Sequence, residues 1–357
     1  MRAERFARQV ALPGFGEAAQ RKLGSARVLV IGAGGLGSTV IPALAGAGVG
    51  TIGIVDDDRV ELSNLHRQYI HGVADVGTSK VRSAAASVAR INPQTRVVEL
   101  TDRLTAANAL NIFAEYDLVI DGCDNFPTRY LAHDAAMLRG IPLVWGSLSQ
   151  YGGQTGLSVP GGPGYRDLFP APPPPGSVLS CEQSGVLPTV CGVIASIMAT
   201  EALKLFTGIG TPLIGRVTVF DALTGGFREL EFGRDPEATQ VTELIDYELF
   251  CGIVDTVSAR QLAEKLAAGE KLMLLDVREP WEAQIASLPG SVLVPLRGLA
   301  AGLDSIDRRL PIVAYCHTGV RSETARRLLK SSGFTVSHLA GGIDAWSREV
   351  DLSVARY

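Results

Sequence analysis

Three short stretches of the chain hold residue types and spacings suited to chemistry. The first is Gly32-Ala33-Gly34-Gly35-Leu36-Gly37, set between an apolar run and a helix-length segment. Glycines let backbone N–H groups approach a phosphate, and the N-terminus of the following helix favours its negative charge. Asp56 closes the next apolar run, where an acid accepts hydrogen bonds from ribose hydroxyls. Alone, this pattern suits a dinucleotide dehydrogenase. The residues that follow argue otherwise. Ser63-Asn64-Leu65-His66-Arg67-Gln68 packs polar groups together, Lys80 opens a helix, and Asp121-Gly122-Cys123-Asp124-Asn125 follows a strand end. Arg67 and Lys80 supply cations for a triphosphate and Asp124 a carboxylate for Mg2+. That set serves nucleotide chemistry, not hydride transfer.

The second stretch is Tyr315-Cys316-His317-Thr318-Gly319-Val320-Arg321, read as strand, loop and helix. A cysteine at the base of such a loop is ringed by backbone N–H groups and faces a helix N-terminus, and Arg321 adds a positive charge. The cradle stabilises a thiolate or an anionic adduct on sulfur. Four residues separate Cys316 from Arg321. A phosphatase loop has five, so this smaller ring suits a persulfide sulfur. The third stretch is Ser180-Cys181-Glu182-Gln183-Ser184-Gly185, ahead of a helix. A helix N-terminus lowers a thiol's pKa and favours the nucleophilic thiolate; a packed, inert cysteine is the competing reading. Cys123, Cys191 and Cys251 lie in or beside apolar runs and read as structural. His71, His133 and His338 show no ligand spacing.

The elements that must position these groups alternate along the chain. Strands are expected at 27–31, 51–55, 96–100, 117–121, 142–146, 154–159 and 215–220, and helices at 36–48, 78–90, 127–139 and 189–207. Such alternation predicts an α/β fold, a doubly wound sheet covered by helices. A proline-rich loop spans 160–176. The pattern weakens over 236–254, which reads as a linker. From 255 to 357 a smaller α/β unit follows, with strands near 272–276, 292–294, 311–315 and 335–338 and helices at 258–268, 280–285, 321–332 and 342–347. The domains are therefore expected at 1–235 and 255–357.

The first of these resembles the ubiquitin-activating-enzyme-like adenylyltransferases, the MoeB/ThiF family. The resemblance is carried by Arg8-Gln9, the Gly32–Gly37 loop, Val55-Asp56 with Asp58, Ser63 to Gln68, Lys80, and Asp121 with Asp124-Asn125. It implies a Rossmann-like fold and adenylylation of the C-terminal glycine of a ubiquitin-like sulfur-carrier protein ending in Gly-Gly. It implies that Gly34, Gly35, Asp56, Ser63, Asn64, Leu65, His66, Arg67, Lys80, Asp124 and Asn125 bind ATP, with Mg2+ on Asp124. Arg8 resembles the arginine that reaches the neighbouring subunit's ATP, so a homodimer is expected. The family also carries a cysteine at the place of Cys181. Many members hold zinc on two Cys-x-x-Cys pairs. Here the first pair would fall on Gly164-Tyr165-Arg166-Asp167 and the second within Pro236 to Thr242, and neither stretch contains cysteine. No zinc is expected, as in the MoeZ branch of the family. The second domain resembles a single-domain rhodanese through Leu275-Asp276-Val277-Arg278-Glu279, Leu288-Pro289-Gly290-Ser291, the Cys316 loop, and Gly341-Gly342-Ile343 with Trp346. A rhodanese persulfide on Cys316, with Arg321 and Cys181 assisting, would turn the adenylated carrier into a thiocarboxylate. Thiosulfate or a cysteine desulfurase persulfide would supply the sulfur. A carrier-docking scaffold in which only the rhodanese acts is the alternative, and the intact Asp56, Arg67, Lys80 and Asp124 argue against it.

Composition excludes other classes. Lys and Arg number 33 against 37 Asp and Glu, a net charge of −4, so no basic surface for nucleic acid is expected. The uncharged run from Val28 to Val55 is long enough for a bilayer. Its glycines and Pro42 instead break it into strand, turn, helix and strand, so no membrane span is expected. Five cysteines at wide spacing give neither a disulfide framework nor a Cys-x-x-Cys clamp, and with Met1-Arg2-Ala3-Glu4-Arg5 at the start the chain reads as cytoplasmic.

Overall fold

The computed structural model describes residues 2–173, 184–236, 241–251, 256–303 and 306–357. Backbone contacts divide the chain into two compact units, the described residues through Cys251 forming the first and those from Thr256 onward the second. The first is built on eight strands: β1 (Arg27–Ile31), β2 (Thr51–Val55), β3 (Arg96–Leu100), β4 (Leu118–Asp121), β5 (Leu143–Ser149), β6 (Gly152–Ser158), β7 (Arg216–Asp221) and β8 (Gly226–Glu231). They lie in the order β3-β2-β1-β4-β5-β6-β7-β8. Pairing is parallel from β3 through β5 and antiparallel from β5 through β8.

The parallel half reads as continuous apolar runs because both of its faces are covered. Val28 and Val30 of β1 join Ile52, Ile54, Leu118 and Ile120 in one core. Leu29 and Ile31, pointing the other way, join Val119, Tyr130 and Trp145 in a second. The uncharged Val28–Val55 segment is thus strand β1, helix Gly37–Ala47 and strand β2, as expected. The helix Pro188–Thr207 is long and apolar enough to cross a membrane by length and composition. It packs against the helix Gly37–Ala47 and against β5 and β6, with Val190, Ile194, Ala195, Met198 and Ala202 buried.

The second unit carries β9 (Thr256–Val257), β10 (Met273–Asp276), β11 (Val292–Leu293), β12 (Ile312–Tyr315) and β13 (Val336–Leu339) in the order β11-β10-β12-β13-β9, all parallel. Leu275, Ile312 and Ala314 face one core, and Leu274, Val313 and Tyr315 face the other.

Of the segment 236–254, residues 241–251 contribute to the first unit. Tyr247–Phe250 form a short helix, and Tyr247 and Cys251 are buried in the first unit's core that holds Leu29, Val119 and Trp145. Their anchor is Asp134, a buried carboxylate on the helix Phe126–Arg139. Arg166 grips it through Nε at 2.7 Å and Nη2 at 2.6 Å, and the Tyr247 hydroxyl donates to it at 2.6 Å. The Arg166 guanidinium also lies over the rings of Tyr130 and Phe250, and Asp167 accepts from the Asp235 backbone at 2.9 Å. Burial alone would raise the Asp134 carboxyl, but Arg166, His133 and Tyr247 more than offset it and hold it below its ordinary value. An ion pair with aromatic faces thus occupies the stretch, Gly164 to Asp167, where family relatives would carry their first cysteine pair.

Candidate functional site

The switch point of the first sheet lies between β1 and β4, whose chain directions send their crossover connections to opposite sides. Ligands of open α/β sheets bind there, outside the carboxyl ends of the strands. The glycine loop leaves β1, and the Asp121–Asn125 turn leaves β4, at that place. Gly32 sits at φ +88°, and a Cβ on it would stand 3.1 Å from the Gly122 carbonyl oxygen of the neighbouring turn. A Cβ on Gly37 would stand 2.0 Å from the Gly32 carbonyl oxygen, so the helix Gly37–Ala47 starts hard against the loop.

Asp56 ties the two halves of the crevice together. Its Oδ2 accepts from the Ala33 backbone at 2.7 Å and its Oδ1 from Asp58 at 2.9 Å. Each oxygen keeps a second lone pair for a ligand. Burial raises its pKa, against the pull of Lys80 and those two amides. Downstream, Val60 pairs with Thr78 and Gly77, which folds the chain back and seats Lys80 at Asp58. The Lys80 ammonium is buried and contacts Asp58 Oδ2 at 2.6 Å. Burial pushes it down, but Asp56, Asp58 and Asp124 together raise it, so it is fully charged near neutrality. Arg67 reaches over the glycine loop, its Cδ 3.8 Å from the place a Cβ on Gly35 would take, and its Nη1 lies 2.7 Å from His66 Nε2.

The expected residues therefore converge with differing directness. Gly34, Gly35, Asp56, Arg67, Lys80 and Asp124 share the crevice or its field. Asp124 and Asn125 are exposed, and the Asn125 side chain caps the helix Phe126–Arg139 by accepting from Thr128 at 2.9 Å. Ser63 is exposed and bonded to Glu61, Asn64 is buried with its carbonyl on the Glu61 amide, and Leu65 is half-buried on the same turn. Among the described residues, the carboxylates that gather within 4.8 Å of one another are Asp56, Asp57 and Asp58; Asp124 is not one of them. Arg8 is exposed on the helix Ala7–Val10, which Gln9 fastens to the body through Gln20 at 2.8 Å and the Ala47 carbonyl at 3.0 Å. Cys181 lies outside the described residues.

Other groups at the loop are ones that residue typing alone does not single out. His71 is buried between Ser83 at 2.8 Å and the Ala33 carbonyl at 3.0 Å, and it props the glycine loop from behind. Asp121 is likewise structural: it pairs with the buried Arg129, which also donates to the Cys123 and Gly146 carbonyls. Ser38 Oγ and Gln68 Oε1 are buried with no protein partner. Gln68 lies against Gly34, its Nε2 3.6 Å from a Cβ built there. Buried polar atoms without a partner are costly; Ser38 stands in the first turn of the helix Gly37–Ala47, where its hydroxyl can donate to a ligand, whereas the Gln68 oxygen can only accept.

In the second unit Cys316 directly follows β12 and is 1% exposed. The Gly319 amide donates to its Sγ at 3.1 Å and the Ser322 hydroxyl approaches at 3.6 Å. Gly319, at φ +97°, is the N-cap of the helix Val320–Ser331. The loop is fixed from below: Ile343 and Asp344 amides donate to the Cys316 and His317 carbonyls at 2.9 and 3.1 Å. A Cβ on Gly342 would strike both of those carbonyls. Asp276 and Arg278 form a buried pair that braces the fold. Arg321 does not stand free. Its guanidinium makes two parallel contacts of 2.6 Å with the Glu282 carboxylate.

Comparison with known proteins gives two family matches. Residues 6–241 match the ThiF family, and residues 258–349 match the rhodanese-like domain. A probable adenylyltransferase/sulfurtransferase MoeZ of Mycobacterium tuberculosis is 47% identical over 371 residues, covering 99% of this chain and 95% of that protein. A sulfur carrier protein adenylyltransferase of Thermus thermophilus is 48% identical over 263 residues, covering 70% of this chain and 97% of that protein. Among solved structures, Escherichia coli MccB crystallised with MccA-N7isoAsn superposes with a TM-score of 0.60 at 22% identity, covering 67% of this chain and 74% of that one. This last likeness concerns the fold alone.

Proposed function

The chain belongs to the ThiF family and ends in a rhodanese-like domain, and from that premise we propose how its two activities are joined. It is an adenylyltransferase and a sulfurtransferase. The substrate of both reactions is a ubiquitin-like sulfur carrier ending in Gly-Gly. A bare carboxylate has no good leaving group, so the carrier carboxylate first attacks the α-phosphorus of ATP, releasing pyrophosphate. The glycine loop receives the phosphates through backbone N–H groups, and the otherwise unpartnered Ser38 hydroxyl donates to one of them. Arg67 and Lys80 offset the charge that builds on the polyphosphate, and Asp56 orients the ribose. Asp124 would hold Mg2+, which supplies further charge neutralisation on the phosphates when bound.

Cys316, carrying sulfur as Cys–S–S−, then attacks the acyl-adenylate. AMP leaves, and an acyl disulfide joins carrier and enzyme. A second thiolate attacks the Cys316 sulfur, breaks the S–S bond and releases the carrier thiocarboxylate, leaving a disulfide that an external thiol reduces. Cys181 is the thiol proposed for this step; a transient acyl thioester on it is the other order of events. The sulfur donor is thiosulfate or a desulfurase persulfide, and the enzyme works in the cytoplasm.

The observation that carries the adenylylation reading is the convergence of Asp56, Arg67, Lys80 and Asp124 on one glycine loop. The test is ATP–pyrophosphate exchange. Exchange should require an added Gly-Gly carrier, and Asp124→Ala should lower it roughly a hundredfold or more, the scale of losing a group aimed at developing charge. Exchange that survives this change would remove the metal assignment.

Arg8 is exposed on a helix that Gln9 anchors, which suits an arginine serving a neighbouring chain in a homodimer. Mixing Arg8→Ala chains with Lys80→Ala chains should restore part of the exchange activity, because one of the two sites then combines intact partners. Mixed dimers as inactive as their parents would exclude sharing. At Gly164–Asp167 the clasp of Arg166 and Asp134 takes up the donors, and no thiol stands there, so elemental analysis should find far less than one zinc per chain. A value near one would mean that other ligands hold it.

A further inference from the structure

The Cys316 loop presents an arginine whose charge is already engaged. Glu282 lies on the short helix Pro280–Ile285, and its side chain is 4% exposed against 35% for Arg321. Four donors fill the Glu282 carboxylate. Oε2 accepts from Arg321 Nη1 at 2.6 Å and from the Glu279 amide at 3.0 Å. Oε1 accepts from Arg321 Nη2 at 2.6 Å and from the Tyr357 hydroxyl at 3.1 Å. Tyr357 is itself fixed, with its ring stacked on His317 at 4.3 Å and its oxygen accepting from Arg278 at 2.8 Å. Hydrogen bonding from Arg321 holds the Glu282 carboxyl at about 2, so the partner of Arg321 is a full anion at any pH the enzyme meets. Arg321 lies in the first turn of the helix whose N-cap, Gly319, donates to the Cys316 Sγ, so an anion held on that sulfur draws on the same charge. Two anions, one resident and one chemical, therefore compete for a single guanidinium.

We propose that Glu282 sets the anion affinity of the Cys316 loop, holding Arg321 in a neutral pair that an entering anionic sulfur donor must loosen. Glu282 is a positioning residue: it touches Arg321, not the reacting sulfur. The inference rests on Cys316 being the sulfur-accepting residue. With thiosulfate, the Cys316 thiolate attacks the outer sulfur, the S–S bond of thiosulfate breaks, and sulfite leaves with the bonding pair. Cyanide then removes that sulfur as thiocyanate and restores the thiolate. A dianion gains from Arg321 only what Glu282 concedes, so removing Glu282 should tighten anion binding. A purely structural role predicts the opposite sign.

The experiment uses the full chain and two readouts: KM for thiosulfate in the cyanide assay, and the sulfate concentration that half-protects Cys316 from iodoacetamide. The second needs no turnover. Glu282→Ala should lower both by about fivefold, the upper range for a partly exposed ion pair. In an Arg321→Ala background the same change should leave sulfate protection unaltered. Glu282→Asp keeps the charge but cannot make both contacts, so it should shift both readouts in the same direction by less, and it serves if the alanine variant fails to fold. Values that stay the same or rise in both single variants, or that fall equally without Arg321, would overturn the proposal. Thiocyanate release that persists in Cys316→Ser would instead remove the reading on which it rests.

Discussion

Cys316→Ser is expected to cut cyanide-dependent thiocyanate release from thiosulfate by roughly a thousandfold or more, the scale on which removing a covalent nucleophile acts. The sulfur sits directly after β12, 1% exposed, with the Gly319 amide on it at 3.1 Å and the helix Val320–Ser331 starting beyond. An alkoxide cannot be reached near neutrality as a thiolate can, and a serine cannot store sulfur as a persulfide. Packing should not obscure the result, because exchanging S for O in a site lined by a backbone amide and a hydroxyl leaves the loop its donors. The same variant should retain carrier-dependent ATP–pyrophosphate exchange, whose residues lie on the other unit. An aryl phosphate serves as the control substrate. Its hydrolysis, or sulfur transfer persisting without Cys316, would overturn the assignment of this loop.

Gly37→Ala is expected to abolish ATP–pyrophosphate exchange, and Gly46→Ala, nine positions along the same helix, to leave it intact. A methyl on Gly37 would lie 2.0 Å from the Gly32 carbonyl oxygen, whereas one on Gly46 meets nothing within 4 Å. The first can be accommodated only by lifting the helix off the loop, which also moves the amides offered to phosphate. Overpacking of this kind costs about 1–3 kcal/mol, while alanine in the exposed helix position gains up to about 1 kcal/mol. Thermal denaturation of the two variants should therefore shift in opposite directions. Equal exchange rates would show that the loop and helix do not have to abut for the nucleotide to bind.

The parts of this fold that were legible are those whose signal is local. β1, the glycine loop and the helix Gly37–Ala47 are consecutive, and burial on both faces writes β1 and β2 as unbroken apolar runs. β8 gives no such signal: all six of its residues are exposed, so neither alternation nor a buried run marks it, and β7 alone specifies it by pairing. β9 has two residues, too few for any period. Within the sites, residue type reveals Lys80 and Asp124 but not what holds them. His71 props Ala33 from 38 positions away, and Glu282 meets Arg321 from 39. Such contacts depend on how distant elements are stacked, and no spacing within a motif encodes them. The segment around Tyr247 is similar. Its helix, Tyr247–Phe250, is too short to show a period, and its apolar residues complete a core built elsewhere, beside Tyr130.

The Asp134–Arg166–Tyr247 tie also decides which stresses the first unit withstands. A four-thiolate zinc site comes apart when its sulfurs are oxidised or when a chelator strips the ion. The tie here is made by a carboxylate, a guanidinium and a phenol, with no sulfur among its donors. Its weak point is acid. The folded Asp134 carboxyl titrates below its ordinary value of 3.8, so its contribution is complete above that value and fades only as pH falls through the depressed one. Peroxide and chelators attack neither a carboxylate nor a guanidinium, so this tie should hold in their presence and yield only to acid.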